Sequence, residues 1–170
     1  MSSLSSKRSP MPYQSTKTYG HEVGLSACFR QWRADSHCQY LHGYALSVSL
    51  VFEADTLDAN NWVVDFGSLK PIKAWLQDTF DHTTLVAEDD PDFNRMLALQ
   101  RQGLIQFVGV PATGCEAFAE LIYKHVSNWL GTAYKPNVVG VHATAPHVRL
   151  MSVEVREHGA DSALYLRGKL

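Results

Sequence analysis

The alternation of apolar and polar side chains over residues 44–53 places the tightest limit on how this chain folds. Four apolar residues recur at every second position and would share one face of a β-strand: Leu46, Val48, Leu50 and Phe52. A second alternating segment, residues 18–30, predicts another strand that carries Phe29 on its apolar face. The polar residues 31–39 between them predict a loop, so we expect the two strands to pair antiparallel.

Helical patterns and further strands follow along the chain. A stripe of apolar residues predicts a helix over residues 69–80, with Ser68 as its N-cap. The spacing of Thr113 and Glu116 predicts a capping box that opens a longer helix, which Gly131 would end. Weaker patterns predict a short amphipathic helix over 91–101 and strands over 62–67, 104–110, 137–143, 150–155 and 163–167. This order indicates an α+β protein with an antiparallel four-stranded sheet whose helices cover one face.

Composition excludes several classes of protein. The chain has 170 residues and a formal net charge of -2, which gives no electrostatic footprint for nucleic acid or an anionic membrane. Its three cysteines lack paired-motif spacing, which argues against a disulfide framework and favours a reducing, cytoplasmic location. Residues 1–17 are interpreted as a disordered or loosely docked tail without a signal peptide, and residues 18–170 as a single domain. Apolar residues on both sides of the strand over 44–53 predict that a homo-oligomer covers the second sheet face.

Cys38 is the first candidate for chemistry, because it lies at the mouth of a strand between His37 and His42. A thiol acts as a base or nucleophile through its thiolate, which neighbouring imidazoles or the Arg33 guanidinium would favour. A surface thiol without a role is an equally good interpretation of these residues taken alone.

Carboxylates supply the other candidates. Asp81 could fix the tautomer of His82 for acid–base work, although an exposed acid beside a helix-terminal cation is the simpler interpretation. Glu157 continues the inward face of a strand and either ends in water or pairs with buried donors. Glu116 is explained better by helix capping than by ligand contact. His125, on the apolar stripe of the long helix, is predicted to be a core histidine.

Together these pieces resemble the family of 6-pyruvoyltetrahydropterin synthase and 6-carboxytetrahydropterin synthase (QueD). The matching residues stand in the family's order between about Tyr19 and Leu166: Cys38 with His42-Gly43, the segment Val64-Asp65-Phe66-Gly67-Ser68-Leu69-Lys70, Asp81-His82, Glu116, and Val153-Glu154-Val155-Arg156-Glu157 with Tyr165. No single motif is decisive, but the ordered set is specific.

The resemblance implies a tunnelling fold that assembles as trimers or hexamers, with active sites between protomers. It implies that Cys38 abstracts a proton from the substrate and that Asp81 and His82 act as the partner proton relay. The residues implied in substrate binding are Glu157, which would anchor the aminopyrimidine edge of a pterin, Glu116 and Thr113. A carboxylate suits that edge because it accepts two parallel hydrogen bonds.

The resemblance also implies a zinc cofactor, held by three imidazoles and acting as a Lewis acid. Of the three ligand positions this chain keeps His42 and carries Phe29 and Tyr44 at the other two. One imidazole does not make a zinc site, and a phenol is a poor substitute at neutral pH.

Two hypotheses about function follow from the resemblance. The first is an enzyme of the QueD type, a lyase that converts 7,8-dihydroneopterin triphosphate to 6-carboxytetrahydropterin on the route to 7-deazaguanine (queuosine-type) nucleosides. The second is a metal-free pterin- or purine-binding homologue in which the chemistry is altered or lost. The retained Cys38 favours the first, whereas Phe29 and Tyr44 favour the second.

Overall fold

The computed structural model describes residues 11–137 and 147–168. In this part of the chain the strands are β1 (Tyr13–Tyr19), β2 (Leu25–Phe29), β3 (His42–Ala54), β4 (Thr83–Ala87), β5 (Phe107–Val110), β6 (Arg149–Arg156) and β7 (Ser162–Leu166). The α-helices are α1 (Lys70–Phe80), α2 (Phe93–Arg101) and α3 (Cys115–Thr132).

The long strand β3 organises the sheet, and its 13 residues pair with neighbours on both edges. Along one edge its first part pairs antiparallel with β2 and its second part with β1. Along the other edge it pairs antiparallel with β6, which continues to β7. The predicted antiparallel pairing of the strands around 18–30 and 44–53 is therefore confirmed.

The sheet is mixed and has seven strands among the described residues, so the prediction of a four-stranded antiparallel sheet was wrong. Strand β4 pairs parallel with β2, and β5 pairs parallel with β4. The sequence pattern missed β4 because all five of its residues are buried, which removes the alternation that marks a half-buried strand. It also begins directly after the helix–turn residues Asp81 and His82.

The core lies between one face of this sheet and the helices α1 and α3. The four alternating residues of β3 all point into it and have no exposed surface: Leu46, Val48, Leu50 and Phe52. Burial of side chains of this size contributes about 1.5–3 kcal/mol each, which explains why the alternation was a reliable guide. From the helices, Phe80 and Phe118 meet edge to face with ring centroids 5.4 Å apart. Phe29 of β2 packs on Phe118 from the sheet side.

Two predictions about the first 30 residues need correction. Residues 13–17 were assigned to the tail but form most of β1, which pairs with β3 from Tyr13 to Tyr19. The single strand predicted over 18–30 is interrupted by a 3₁₀ helix, His21–Val23. Gly24 ends that helix at a φ of 78°, a left-handed conformation that glycine adopts without steric cost.

The predicted starts of the helices were also displaced. Residues 62–67 form no strand, and a 3₁₀ helix at Phe66–Leu69 leads into α1, with Leu69 rather than Ser68 at the N-cap. Helix α3 begins after Gly114 without a side-chain cap, so the capping box of Thr113 and Glu116 was wrong. The strand predicted over 137–143 falls almost wholly outside the described residues.

None of the helices in the described parts of the chain is both long enough and apolar enough to cross a membrane.

Candidate functional site

Three rings converge where β2 and β3 begin to pair. Phe29 lies directly opposite His42 in the antiparallel register, and Tyr44 lies opposite Ala27, so all three side chains project from the same face. The ring centroid of Phe29 is 4.9 Å from that of His42 and 6.2 Å from that of Tyr44. The centroids of His42 and Tyr44 are 5.6 Å apart. We call Phe29, His42 and Tyr44 the aromatic cluster.

The donor atoms of the aromatic cluster do not fit the zinc site that the resemblance implied. A tetrahedral zinc site with three protein ligands takes nitrogen, sulfur or carboxylate oxygen from each. Phe29 offers no donor atom and is fully buried against Phe118. Tyr44 offers a phenol that is protonated at neutral pH, which leaves the imidazole of His42 as the one suitable ligand of the three.

Hydrogen bonding sets the tautomer of His42. Its Nδ1 lies 2.7 Å from the carbonyl oxygen of Tyr40, and because a carbonyl only accepts, Nδ1 donates. In the neutral imidazole Nε2 then carries the lone pair and can accept a hydrogen bond.

Tyr44 remains a neutral phenol over a wide pH range. Burial raises the pKa of Tyr44, and the charges of Glu157, Cys38 and Asp161 raise it further. Glu157 lies near this phenol, because it directly follows Arg156, which pairs with Ser47 of β3, and the ring centroid of its neighbour His158 is 6.1 Å from that of Tyr44. Tyr44 can therefore donate a hydrogen bond to a ligand placed between these groups.

Cys38 lies in a short 3₁₀ helix, His37–Gln39, that leads into β3. The helix is held at its start by Ser36, whose Oγ accepts from the backbone N–H of Cys38 at 3.3 Å. The Cys38 carbonyl accepts from the N–H of Gln31 at 2.9 Å, which ties this turn to the end of β2. Arg33, expected as a partner for the thiolate, instead pairs with Asp89.

Glu157 follows β6, and Cys115 is the first residue of α3, the helix that packs on β6. Burial, together with the negative charges of Glu157 and Glu116 and a hydrogen bond to Glu157, raises the pKa of the Cys115 thiol to about 12. Cys115 is therefore a neutral S–H group that can donate to the Glu157 carboxylate. Sequence reasoning missed Cys115, although its position next to Glu116 at a predicted helix start was a usable signal.

Glu116 and Thr113, the two other residues predicted to contact substrate, have different surroundings from Glu157. Glu116 is exposed in the first turn of α3, where a negative charge is favoured by the helix dipole. Thr113 is engaged within the protein, because its Oγ1 donates to the carbonyl oxygen of Arg30 at 2.6 Å. That bond fixes the segment between β2 and the Cys38 turn.

Asp81 and His82 do face each other, with Oδ1 of Asp81 2.7 Å from Nδ1 of His82. Asp81 caps the end of α1, and His82 has a φ of 55°, a left-handed conformation that is uncommon for residues other than glycine. The His82 side chain is 84% exposed and lines a polar groove with Cys28 and Gly43. The exposure of this pair at the end of α1 is also consistent with the simpler interpretation, an exposed acid beside a helix-terminal cation.

The groove and the aromatic cluster lie on opposite faces of the β2–β3 pair. Cys28 and Gly43 alternate with Phe29, His42 and Tyr44 along the two strands, and successive side chains of a strand point to opposite faces. Among the described residues no hydrogen bond or ion pair joins Cys38 to Asp81 or His82. One chain therefore presents the Asp81–His82 pair on the face of the β2–β3 pair opposite to Tyr44.

The mixed sheet and the helices on its core face define an α+β protein. The sequence matches the 6-pyruvoyl tetrahydropterin synthase family over residues 20–167, and the chain belongs to that family.

Individual relatives agree with this assignment. The 6-carboxy-5,6,7,8-tetrahydropterin synthases of Rickettsia felis and Rickettsia conorii are each 31% identical to this chain over 61 residues. That match covers 35% of this chain and 44% of each relative, so less than half of the relatives' length is spanned.

Solved structures show the same fold. An uncharacterized protein from Wolinella succinogenes superposes with a TM-score of 0.75 at 19% identity, covering 93% of this chain and 99% of that one. A catalytic-residue variant of Plasmodium vivax 6-pyruvoyltetrahydropterin synthase gives a TM-score of 0.63 at 15% identity, over 94% of this chain and 99% of that one. At these identities the likeness concerns the fold alone.

Proposed function

We propose that this protein binds a reduced pterin, with Glu157 accepting hydrogen bonds from the aminopyrimidine edge of the ring. The observation that carries the proposal is the position of Glu157 at the end of β6, where Arg156 pairs with Ser47 of β3 and the His158 ring centroid lies 6.1 Å from that of Tyr44. A carboxylate suits this edge because it can accept two parallel hydrogen bonds from paired N–H groups of a ligand. Glu116 adds a second negative charge at the start of α3.

The proposed reaction is that of the QueD type, in which 7,8-dihydroneopterin triphosphate is converted to 6-carboxytetrahydropterin. The names of the Rickettsia relatives support this substrate class over the part of the chain that they match. Cys38 would remove a proton from the substrate side chain, since the turn that carries it leads into β3 next to Tyr44.

The Asp81–His82 pair would complete the site from another copy of the chain. The opposite-face placement of this pair supports such an arrangement, because one copy does not join it to Cys38. The proposal therefore includes a homo-oligomer, trimeric or hexameric, whose sites form between protomers.

Pterin or purine binding without turnover is the second candidate function. Phe29 and Tyr44 favour it, because they remove two of the three imidazoles that zinc chemistry at this position requires.

Product analysis separates the two candidates. We expect purified protein incubated with 7,8-dihydroneopterin triphosphate to form 6-carboxytetrahydropterin, detected by mass spectrometry, and we expect Cys38→Ala to abolish it. Glu154→Gln is the control, because Glu154 pairs with Arg156 and is not one of the proposed site residues. Substrate that binds but is recovered unchanged would leave the second candidate, and turnover that survives in Cys38→Ala would contradict the thiol base.

A further inference from the structure

We propose that this chain dispenses with the zinc of its family, and that the Tyr44 phenol makes the contact with a ligand oxygen that the metal would otherwise make. The loss of the metal follows from the chain's own donor atoms and is independent of the proposed substrate. The role of Tyr44 rests on the proposed pterin binding.

The three rings of the aromatic cluster are spaced as the imidazoles of a zinc site would be, but two of the rings lack the imidazole nitrogen that would bind the metal. With Zn–N bonds of about 2.0–2.1 Å in a tetrahedral site, the centroids of bound imidazoles would lie roughly 5 Å apart. The centroids of Phe29, His42 and Tyr44 are separated by 4.9, 5.6 and 6.2 Å. Three side chains thus converge as ligands would, and two of them cannot act as ligands.

Phe29 is the residue of the aromatic cluster that packs into the core. Its side chain has no exposed surface and meets Phe118 edge to face with centroids 5.0 Å apart, so it belongs to the core. Swinging Phe29 aside to admit a hydrated ion would expose apolar surface and open a cavity in a packed interior.

Neighbouring groups do not replace the missing ligands. In the described parts of the chain no three His, Cys, Asp or Glu side chains converge closely enough to hold a metal ion. His158, whose ring centroid is 6.1 Å from that of Tyr44, has its Nε2 3.0 Å from a carboxylate oxygen of Asp161. His42 is therefore the one imidazole of the aromatic cluster, with its ring centroid 5.6 Å from that of Tyr44.

Tyr44 and His42 offer a ligand a complementary pair of contacts. The Tyr44 phenol donates, and Nε2 of His42 accepts, so a hydroxyl group lying between them would have both of its hydrogen-bonding functions satisfied. The chemical class recognised is a hydroxylated side chain on a planar ring, with the ring held at the Glu157 end.

Metal binding tests the first part without any pterin. We expect wild-type protein dialysed against zinc, and separately against cobalt(II), to retain no stoichiometric metal. We expect Phe29→His/Tyr44→His to retain about one ion per chain, with the cobalt form showing the visible absorption of a tetrahedral site and affinity raised roughly 100-fold or more. Phe29→His/Tyr44→Phe is the matched control, because it carries the same change in the core but only two imidazoles.

The outcomes are distinct. One zinc per wild-type chain that His42→Ala removes would overturn the proposal, as would a folded Phe29→His/Tyr44→His variant that gains no metal. Tyr44→His alone leaves the core intact and should bind cobalt more tightly than wild type, which keeps the test valid if the change at Phe29 impairs folding.

Ligand binding tests the second part. We expect Tyr44→Phe to weaken the affinity for 7,8-dihydroneopterin by roughly 5- to 10-fold, the loss of one hydrogen bond, while its melting temperature stays at the wild-type value. Unchanged affinity would overturn the role of Tyr44. Absence of pterin binding by the wild type itself would refute the proposed function and the role of Tyr44, and would leave the metal result standing.

Discussion

Replacing Arg30 by leucine should destabilise the protein, because it leaves the buried carboxylate of Asp90 without its cation. Arg30 follows β2, and its guanidinium forms two hydrogen bonds to Asp90, from Nε at 2.8 Å and from Nη2 at 2.5 Å. The Asp90 side chain is 1% exposed, whereas that of Arg30 is 19% exposed. In Arg30→Leu the Asp90 carboxylate would stay buried without its cation.

The magnitude follows from the cost of breaking a buried pair, about 3–5 kcal/mol. We expect the lower end, about 3 kcal/mol, because the N–H of Asp92 still donates to Asp90 at 2.8 Å. For a chain of this size that loss lowers the melting temperature by roughly 6–12 °C. Arg33→Leu is the matched control, since Arg33 and Asp89 are 64% and 48% exposed and an exposed pair contributes under about 1 kcal/mol.

Urea unfolding at pH 7 followed by circular dichroism measures both variants. Equal losses in Arg30→Leu and Arg33→Leu would refute the reasoning from burial. The loss should also depend on pH. The Arg30 guanidinium lowers the pKa of Asp90 in the folded state, so the stability from this pair is present above the unfolded carboxyl pKa near 3.9 and is lost as the pH falls through the folded value.

Three further results are expected. Iodoacetamide at pH 8 should modify the half-buried Cys38 and leave Cys115 unmodified, because Cys115 is buried and its pKa is raised to about 12. Peptide mass spectrometry measures the labelling, and equal labelling of the two cysteines would contradict this prediction. His125 stacks on Trp75 with ring centroids 3.8 Å apart, and burial lowers its pKa, so the stability of the folded protein should fall as the pH drops below about 6.5. The variant His125→Phe should lose this part of the acid dependence of the melting temperature, and an unaltered dependence would contradict the prediction. Phe118→Ala should cost about 3–5 kcal/mol in urea unfolding, and a loss under about 1 kcal/mol would show that the core is described wrongly.

Local sequence patterns predicted those elements whose burial is periodic. Strand β3 and helix α3 were found because each carries a regular row of buried apolar residues, which leaves alternation or a helical stripe in the sequence, although β3 also buries Ser47 and Glu53. Strand β4 left no such trace, since it is buried throughout. Strand β1 was missed because most of its residues are exposed and its order comes from pairing with β3, whose paired residues lie far away in sequence, from Tyr13 with Ala54 to Tyr19 with Val48.

The candidate site was predictable as separate residues but not as an arrangement. Asp81 and His82 form a hydrogen bond in a turn where His82 adopts a left-handed backbone conformation, and no local sequence pattern predicts that conformation for a histidine. The neighbourhood of Cys115 and Glu157 depends on how α3 packs on β6, a non-local contact. Thr113 was assigned to capping and to substrate, yet it bonds to the Arg30 carbonyl, because the chain turns back on the end of β2 there.

Recognition of a pterin by Glu157 is the central claim, and calorimetric titration tests it most directly. Wild type, Glu157→Gln and Glu154→Gln would each be titrated with 7,8-dihydroneopterin, which lacks the triphosphate of the proposed substrate; Glu154, on β6, pairs with Arg156 and serves as the control. We predict that Glu157→Gln weakens binding by about 10- to 100-fold, the loss of charge-assisted hydrogen bonds, and that Glu154→Gln binds as the wild type does. Equal affinity in the wild type and Glu157→Gln would contradict the account.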